Sequence, residues 1–98
     1  MPDIDDSASV HVFISGHVQG VFFRAFVAEK ATKLRLAGWV RNLATGRDVE
    51  VVVEGEKNKL EQLLKLLEAG PPAARVDKVD VEWSEYTGKY SDFQIVQA

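Results

Sequence analysis

Two glycines and an arginine fall close together in Gly16-His17-Val18-Gln19-Gly20-Val21-Phe22-Phe23-Arg24, between a strand pattern and a helix pattern. A loop of this kind can turn successive backbone N–H groups toward one point, and the helix that follows adds its positive dipole end. An anion would settle there, and Arg24 in the first turn would grip it with two N–H donors. Further on, Gly38-Trp39-Val40-Arg41-Asn42 closes a second strand pattern with a neutral amide. Together the two segments describe a small phosphate-handling site. Gly16, His17, Val18, Gln19, Gly20 and Val21 form the cradle, and Arg24 and Asn42 are its polar side chains.

The elements that must hold these residues are legible from periodicity. Val10, Val12 and Ile14 alternate with His11, Phe13 and Ser15, the period of a half-buried strand. From Phe22 to about Leu34 the period changes, and Phe23, Phe26, Val27, Ala31 and Leu34 recur on one face of a helix. Ala37 to Asn42 reads as a second strand. A turn at Ala44-Thr45-Gly46-Arg47 leads to a third, in which Val49, Val51 and Val53 alternate with Glu50, Val52 and Glu54. Leu60, Leu63, Leu64 and Leu67 predict a second amphipathic helix, stopped by Gly70-Pro71-Pro72. Val79, Val81 and Trp83 give a fourth strand, and Phe93 and Ile95 a short fifth after the Thr87-Gly88-Lys89 turn. The order β-α-β-β-α-β, with a short extra strand, predicts a ferredoxin-like split βαβ sandwich of the α+β class. In it an antiparallel sheet carries both helices on one face.

The chain has 98 residues, enough for one domain, and its 46% hydrophobic content suffices for a core. Residues 1–8, with Asp3, Asp5 and Asp6 and no apolar stretch, read as a solvated frayed tail, leaving 9–98 as the domain. Twelve basic residues against fifteen acidic ones give a net charge of −3, which argues against broad nucleic-acid binding. No run approaches the ~18 apolar residues that span a membrane. The absence of cysteine removes disulfide and thiolate chemistry and fits a cytoplasmic setting. His11 and His17 are isolated, and two such histidines do not make a metal site. His11 is expected on the uncovered sheet face, inert, with Trp39 and Arg41 stacking on that face also.

Gly16-x-Val18-Gln19-Gly20-Val21-x-Phe23-Arg24 paired with Gly38-Trp39-Val40-Arg41-Asn42 resembles the double signature of the acylphosphatase family. Glu54-Gly55, Gly70-Pro71 and Phe93-x-Ile95 extend the resemblance over nearly the whole chain. It implies a hydrolase that needs neither metal nor cofactor and cleaves acyl phosphates to a carboxylate and inorganic phosphate. The implied roles are a loop that cradles phosphate through its N–H groups, an Arg24 that binds phosphoryl oxygens and an Asn42 that orients the attacking water. His17 would serve electrostatic attraction. A monomer with a small-molecule substrate, and inorganic phosphate as product and inhibitor, completes the expectation. One departure stands out: Arg47 and Asp48 both precede Val49, where the family has a single residue, so a bulge or a longer hairpin loop is expected.

Other readings fit less well. A nucleotide P-loop needs four residues between its glycines followed by Lys-Ser/Thr, and Gly16 and Gly20 are separated by three. An RNA-recognition sheet would carry aromatics on a central strand, whereas the third strand offers Glu50, Val52 and Glu54, which would meet phosphates with carboxylates. A non-catalytic anion-sensing domain is the serious rival. It has no need of a water-orienting amide.

Overall fold

The computed structural model describes residues 6–96. Its elements are β1 (Ser7–His17), α1 (Phe23–Lys33), β2 (Ala37–Asn42), β3 (Val49–Glu56), α2 (Lys57–Ala69), β4 (Arg75–Ser84) and β5 (Phe93–Ile95). They form a five-stranded sheet in the order β4-β1-β3-β2-β5. The expected ferredoxin-like α+β arrangement is what the chain adopts. β1 begins at Ser7, opposite Glu56, so Ser7 and Ala8 belong to the sheet and not to a tail. Residues 1–5 and 97–98 lie outside the described residues. Among the described residues no helix is long and apolar enough to cross a membrane.

The core follows from the strand period. Val10, Val12 and Ile14 of β1 and Val49, Val51 and Val53 of β3 are fully buried, as is Val40 of β2. Phe23, Val27 and Ala31 of α1 and Leu60, Leu63 and Leu67 of α2 cover them. α2 ends at Gly70, whose positive φ and N–H bond to the Leu66 carbonyl (2.9 Å) terminate the helix before the proline pair. α1 ends without a glycine. Arg35 takes the left-handed conformation (φ 59°), while its N–H bonds the Thr32 carbonyl and the Leu36 N–H bonds the Ala31 carbonyl. That pair of bonds is the Schellman arrangement, formed here around a residue with a Cβ.

One expectation changes. An all-antiparallel sheet was implied, but β5 runs parallel to β2, with Gly38 opposite Phe93 and Val40 opposite Ile95. β4 ends beside Ser9, the end of the sheet where β2 begins opposite Glu54, so a chain crossing there to the far edge must enter in the direction of β2. The crossing is tied down by Glu54, a carboxylate only 2% exposed. It accepts hydrogen bonds from Thr87 N–H (3.0 Å), Thr87 Oγ1 (2.7 Å) and Gly88 N–H (3.0 Å). The sequence pattern put this side chain on the wet face. The loop that crosses the face encloses it.

Glu50 is likewise buried on that face, between neighbours from both flanking strands. His11 Nε2 lies 2.6 Å from its Oε2 and Arg41 Nε donates to its Oε1 at 2.7 Å. His11 is therefore a sheet fastener and not an inert surface residue. Arg41 also lies over the Trp39 ring, 5.3 Å from its centroid, so the expected stacking is present. Burial by itself raises the pKa of the Glu50 carboxyl, but the hydrogen bonds from His11 and Arg41 and the Arg41 charge outweigh it, and the net direction is downward from 4.5.

A carboxylate whose folded pKa lies below its unfolded value stabilises the fold above the unfolded pKa. That contribution disappears as pH falls through the folded value. Glu50→Gln is expected to lose about 1–3 kcal/mol at neutral pH. Its acid unfolding curve should be shallower than the parent's below the ordinary carboxylate range, measured by urea titrations from pH 7 to pH 2. Arg35→Gly is expected to act in the opposite direction. Relief of the left-handed strain, less the glycine's extra unfolded-state entropy, gains about 0.5–1 kcal/mol, read as a higher thermal midpoint.

Candidate active site

The site forms where β1, β2 and β5 end and α1 begins. β1 pairs with β4 up to His17 opposite Arg75, with a register shift between Ser15 and Gly16 that bypasses Asp77. Gly16 is required there: its φ is 139°, and a Cβ would lie 2.1 Å from the Arg75 carbonyl oxygen. Beyond His17 the chain stops pairing. Among the described residues, none of the backbone N–H groups from Val18 to Phe22 donates a hydrogen bond. The first turn of α1 adds its own free N–H groups, since no side chain caps the helix.

Two residues impose the shape of this loop. Gly20 has φ 73°, in the left-handed region. Phe22, at the N-cap, also lies there (φ 60°), a conformation that costs a residue with a Cβ about 1–2 kcal/mol. The side chain of Gln19 does not face an anion. Its Nε2 donates to the carbonyls of Leu43 (3.0 Å) and Asp48 (2.8 Å), pinning the loop to the β2–β3 turn.

That turn absorbs the extra residue noted in the sequence. Leu43 N–H bonds the Asp48 carbonyl (2.8 Å), and Thr45 Oγ1 accepts from the N–H groups of Arg47 and Asp48. The result is a longer loop, and the β2–β3 register runs without a break to Asn42 opposite Val49. Asn42 thereby keeps its place at the strand end. Its Oδ1 is buried and has no hydrogen-bond partner.

A cleft of about 280 Å³ brings Arg24, Asn42, Gly20 and Val18 together with Phe22, Phe23, Ala25 and Ile95. Arg24 is half-buried, and among the described residues no carboxylate pairs with it. An unpaired guanidinium beside free N–H groups is a strong anion site. The remaining residues of the anticipated cradle lie elsewhere. Gly16, His17 and Gln19 line a neighbouring cleft of about 320 Å³ with Gly46, Arg47 and Arg75, and Val18 borders both. Arg47 and Arg75 are each paired with Asp77, at 3.5 and 3.1 Å. Val21 borders neither cleft and packs against the core.

Phe22 and Ile95 were not foreseen as part of the site. Both stand inside quoted motifs, at Val21-x-Phe23 and Phe93-x-Ile95, but nothing in their residue type signals a cleft wall. Among the described residues, no group of His, Asp and Glu side chains is arranged to hold a metal ion.

Comparison with known proteins agrees with this architecture. The acylphosphatase family model matches residues 10–95. An acylphosphatase of Pyrobaculum arsenaticum is 46% identical over 91 residues, covering 93% of this chain and 96% of that protein. The crystal structure of acylphosphatase from Bacillus subtilis superposes with a TM-score of 0.86 at 37% identity, covering 91% of this chain and 98% of that one. An acylphosphatase from Coxiella burnetii gives the same TM-score at 43% identity, covering 94% and 95%. With a model match over most of its length and relatives this similar along nearly their whole chains, the protein belongs to the acylphosphatase family.

Proposed function

We propose that this chain hydrolyses the carboxyl–phosphate anhydride bond of acyl phosphates, with Arg24 holding the phosphoryl group and Asn42 holding the attacking water. One observation carries the reading. The unpaired Arg24 guanidinium and the Asn42 side chain line one cleft with Val18, Gly20 and Phe22, whose backbone N–H groups donate to nothing among the described residues.

In this scheme the amides and Arg24 bind the phosphoryl oxygens and stabilise the charge that spreads over them in the transition state. The Asn42 side-chain amide hydrogen-bonds the water and aims its oxygen at phosphorus. The new P–O bond forms as the bond to the carboxylate oxygen breaks, and the carboxylate leaves with the electron pair. A water proton passes to a phosphoryl oxygen of the substrate. Carboxylate is a good leaving group, so placement and charge neutralisation suffice and a strong base is unnecessary. This accounts for a cleft without a nucleophile or a histidine. Gly16 and Gln19 act on the cradle by shaping and pinning it, Gly20 contributes an amide, and Val21 anchors the loop against the core. His17 in the adjoining cleft adds to the attraction of anions.

The reading extends to a metal-independent, cofactor-free enzyme working as a cytoplasmic monomer. The donor set in the cleft is one arginine and one amide, unsuited to a resident metal.

Benzoyl phosphate hydrolysis is expected to survive excess chelator, with poor turnover of p-nitrophenyl phosphate and competitive inhibition by inorganic phosphate. Chelator-sensitive turnover, or comparable rates on the monoester, would defeat the scheme. Arg24→Gln should lose phosphate affinity and turnover together, the affinity by about one to two decades, since a charge-assisted contact contributes ~1.5–3 kcal/mol. Arg24→Lys should rescue poorly, because an ammonium keeps the charge without the two-pronged geometry.

Asn42→Ala should separate binding from chemistry. Turnover falls by ~10²–10³ while phosphate affinity stays within about a few-fold. Preserved turnover with a collapsed thermal midpoint would make Asn42 a structural residue. Phosphate binding without any acyl phosphate turnover in the parent would favour the anion-sensing alternative.

A further inference from the structure

The two edges of the sheet are unlike. β5 closes one with a three-residue strand, whereas β4 at the other is ten residues long and pairs only with β1. The register shift that bypasses Asp77 interrupts one end of β4. From Lys78 opposite Ser15 to Ser84 opposite Ser9 the pairing is regular, and this stretch contains no proline. Its outer N–H and C=O groups form a straight row without backbone partners among the described residues.

Side chains alternate along that row. Val79, Val81 and Trp83 lie opposite Ile14, Val12 and Val10, on the face that carries the helices. Val79 packs against the core, but Val81 and Trp83 are left exposed. Lys78, Asp80 and Glu82 lie on the other face. Lys78 Nζ is 3.6 Å from Asp80, and among the described residues Glu82 has no ion pair. From Val79 to Glu85 the chain holds three carboxylates and no cation.

Charge decides what can cover this edge. Antiparallel pairing of β4 with a second copy over most of the regular stretch sets Asp80 against Asp80, Asp80 against Glu82, or Glu82 against Glu82. Displaced by one residue, it sets each of these carboxylates against Val or Trp. Parallel pairing in register sets each against its own copy. Like charges directly opposite one another destabilise a ladder. The carboxylates therefore keep copies of this chain apart, a common defence of an edge, yet they leave Val81 and Trp83 uncovered.

We propose that β4, from Lys78 to Ser84, accepts an extended segment of another protein as a sixth strand, one in which Lys or Arg alternates with apolar residues. Backbone hydrogen bonds to the free row hold the segment, and the alternation supplies selectivity. Its basic side chains meet Asp80 and Glu82 on the open face, and its apolar ones cover Val81 and Trp83 on the helix face. Tryptophan is a frequent anchor of such contacts. The proposal is independent of the chemistry in the cleft, which no β4 residue lines.

The test titrates the full chain with a capped seven-residue peptide alternating lysine and valine, read by calorimetry and tryptophan emission. Saturable binding is expected, with a blue shift as Trp83 leaves water. A peptide with glutamate in place of lysine should bind at least about tenfold more weakly, because cross-strand pairs turn from attractive to repulsive. The double substitution Asp80→Lys and Glu82→Lys should invert that preference. Trp83→Ala should weaken the lysine peptide by about fivefold or more. Thermal midpoints close to the parent's verify that these exposed substitutions leave the fold intact.

A lysine peptide methylated on every backbone nitrogen keeps the charges and loses the donors, so it should not bind. Binding of that peptide as tight as the unmethylated one would mean a charge contact without an added strand, and overturns the proposal. So does the absence of binding at millimolar lysine peptide, or an unchanged preference in the double variant. A parent that sediments as a dimer, dissolved by Trp83→Ala, would assign the edge to a second copy and overturn it also.

Discussion

The run of backbone N–H groups from Val18 to Phe22 donates to nothing among the described residues, and the surrounding structure exists to keep it so. Unpaired amides are costly when buried, so they persist only at a surface and only if the chain is prevented from folding back on them. Several features impose this. The register shift at Gly16 ends useful pairing with β4. Gln19 spends its amide on the β2–β3 turn, which holds the loop away from its own N–H groups. Gly20 and Phe22 take left-handed conformations that bend the chain straight into α1. The loop is therefore shaped by its backbone conformation and by the two hydrogen bonds of the Gln19 side chain to backbone carbonyls.

The other face of the sheet contributes from a distance. Glu50 sits on the central strand β3 and draws His11 of β1 and Arg41 of β2 onto one carboxylate. The strands that end at the loop and at Asn42 are thus clamped to a common point. Glu54, near the far end of β3, holds the crossing at Thr87 and Gly88 that delivers β5 to its edge. Both carboxylates are buried, and each is acceptable there because its oxygens are occupied. An α+β layer design leaves one sheet face without helices. Here that face is used to set the relative positions of strands whose ends make the cleft.

Periodicity made most of the fold legible. The alternation of Val10, Val12 and Ile14 and of Val49, Val51 and Val53, and the leucine spacing of α2, reports directly which face is buried. The same logic failed where burial depends on distant chain. Val81 and Trp83 alternate correctly on the helix side of β4, yet are 38% and 45% exposed, because an edge strand extends beyond the helices that would cover it. Glu50 and Glu54 look solvated in sequence and are enclosed by partners remote along the chain. The direction of β5 depends on where β4 ends in space, which local pattern cannot express. The paired motifs picked out Arg24 and Asn42, which line one cleft with Val18 and Gly20. They did not reveal that Gln19 turns away toward Leu43 and Asp48, that the loop divides two clefts, or that Phe22 adopts a backbone conformation normally reserved for glycine. Those outcomes arise from tertiary hydrogen bonds and steric exclusion, which leave no mark on spacing.

The position of β1 also governs how the chain reaches this state. The first strand in sequence occupies an interior place in the sheet, with Ser9 opposite both Glu54 of β3 and Ser84 of β4. Neither neighbour is close to it along the chain, so its ladders cannot grow outward from a hairpin. Large loops must close before any of its backbone bonds form, and their entropy is spent ahead of the reward. Proteins rich in such distant pairings fold more slowly than helical bundles of similar size. The topology that brings the ends of β1, β2 and β5 to one rim therefore also makes that rim slow to assemble.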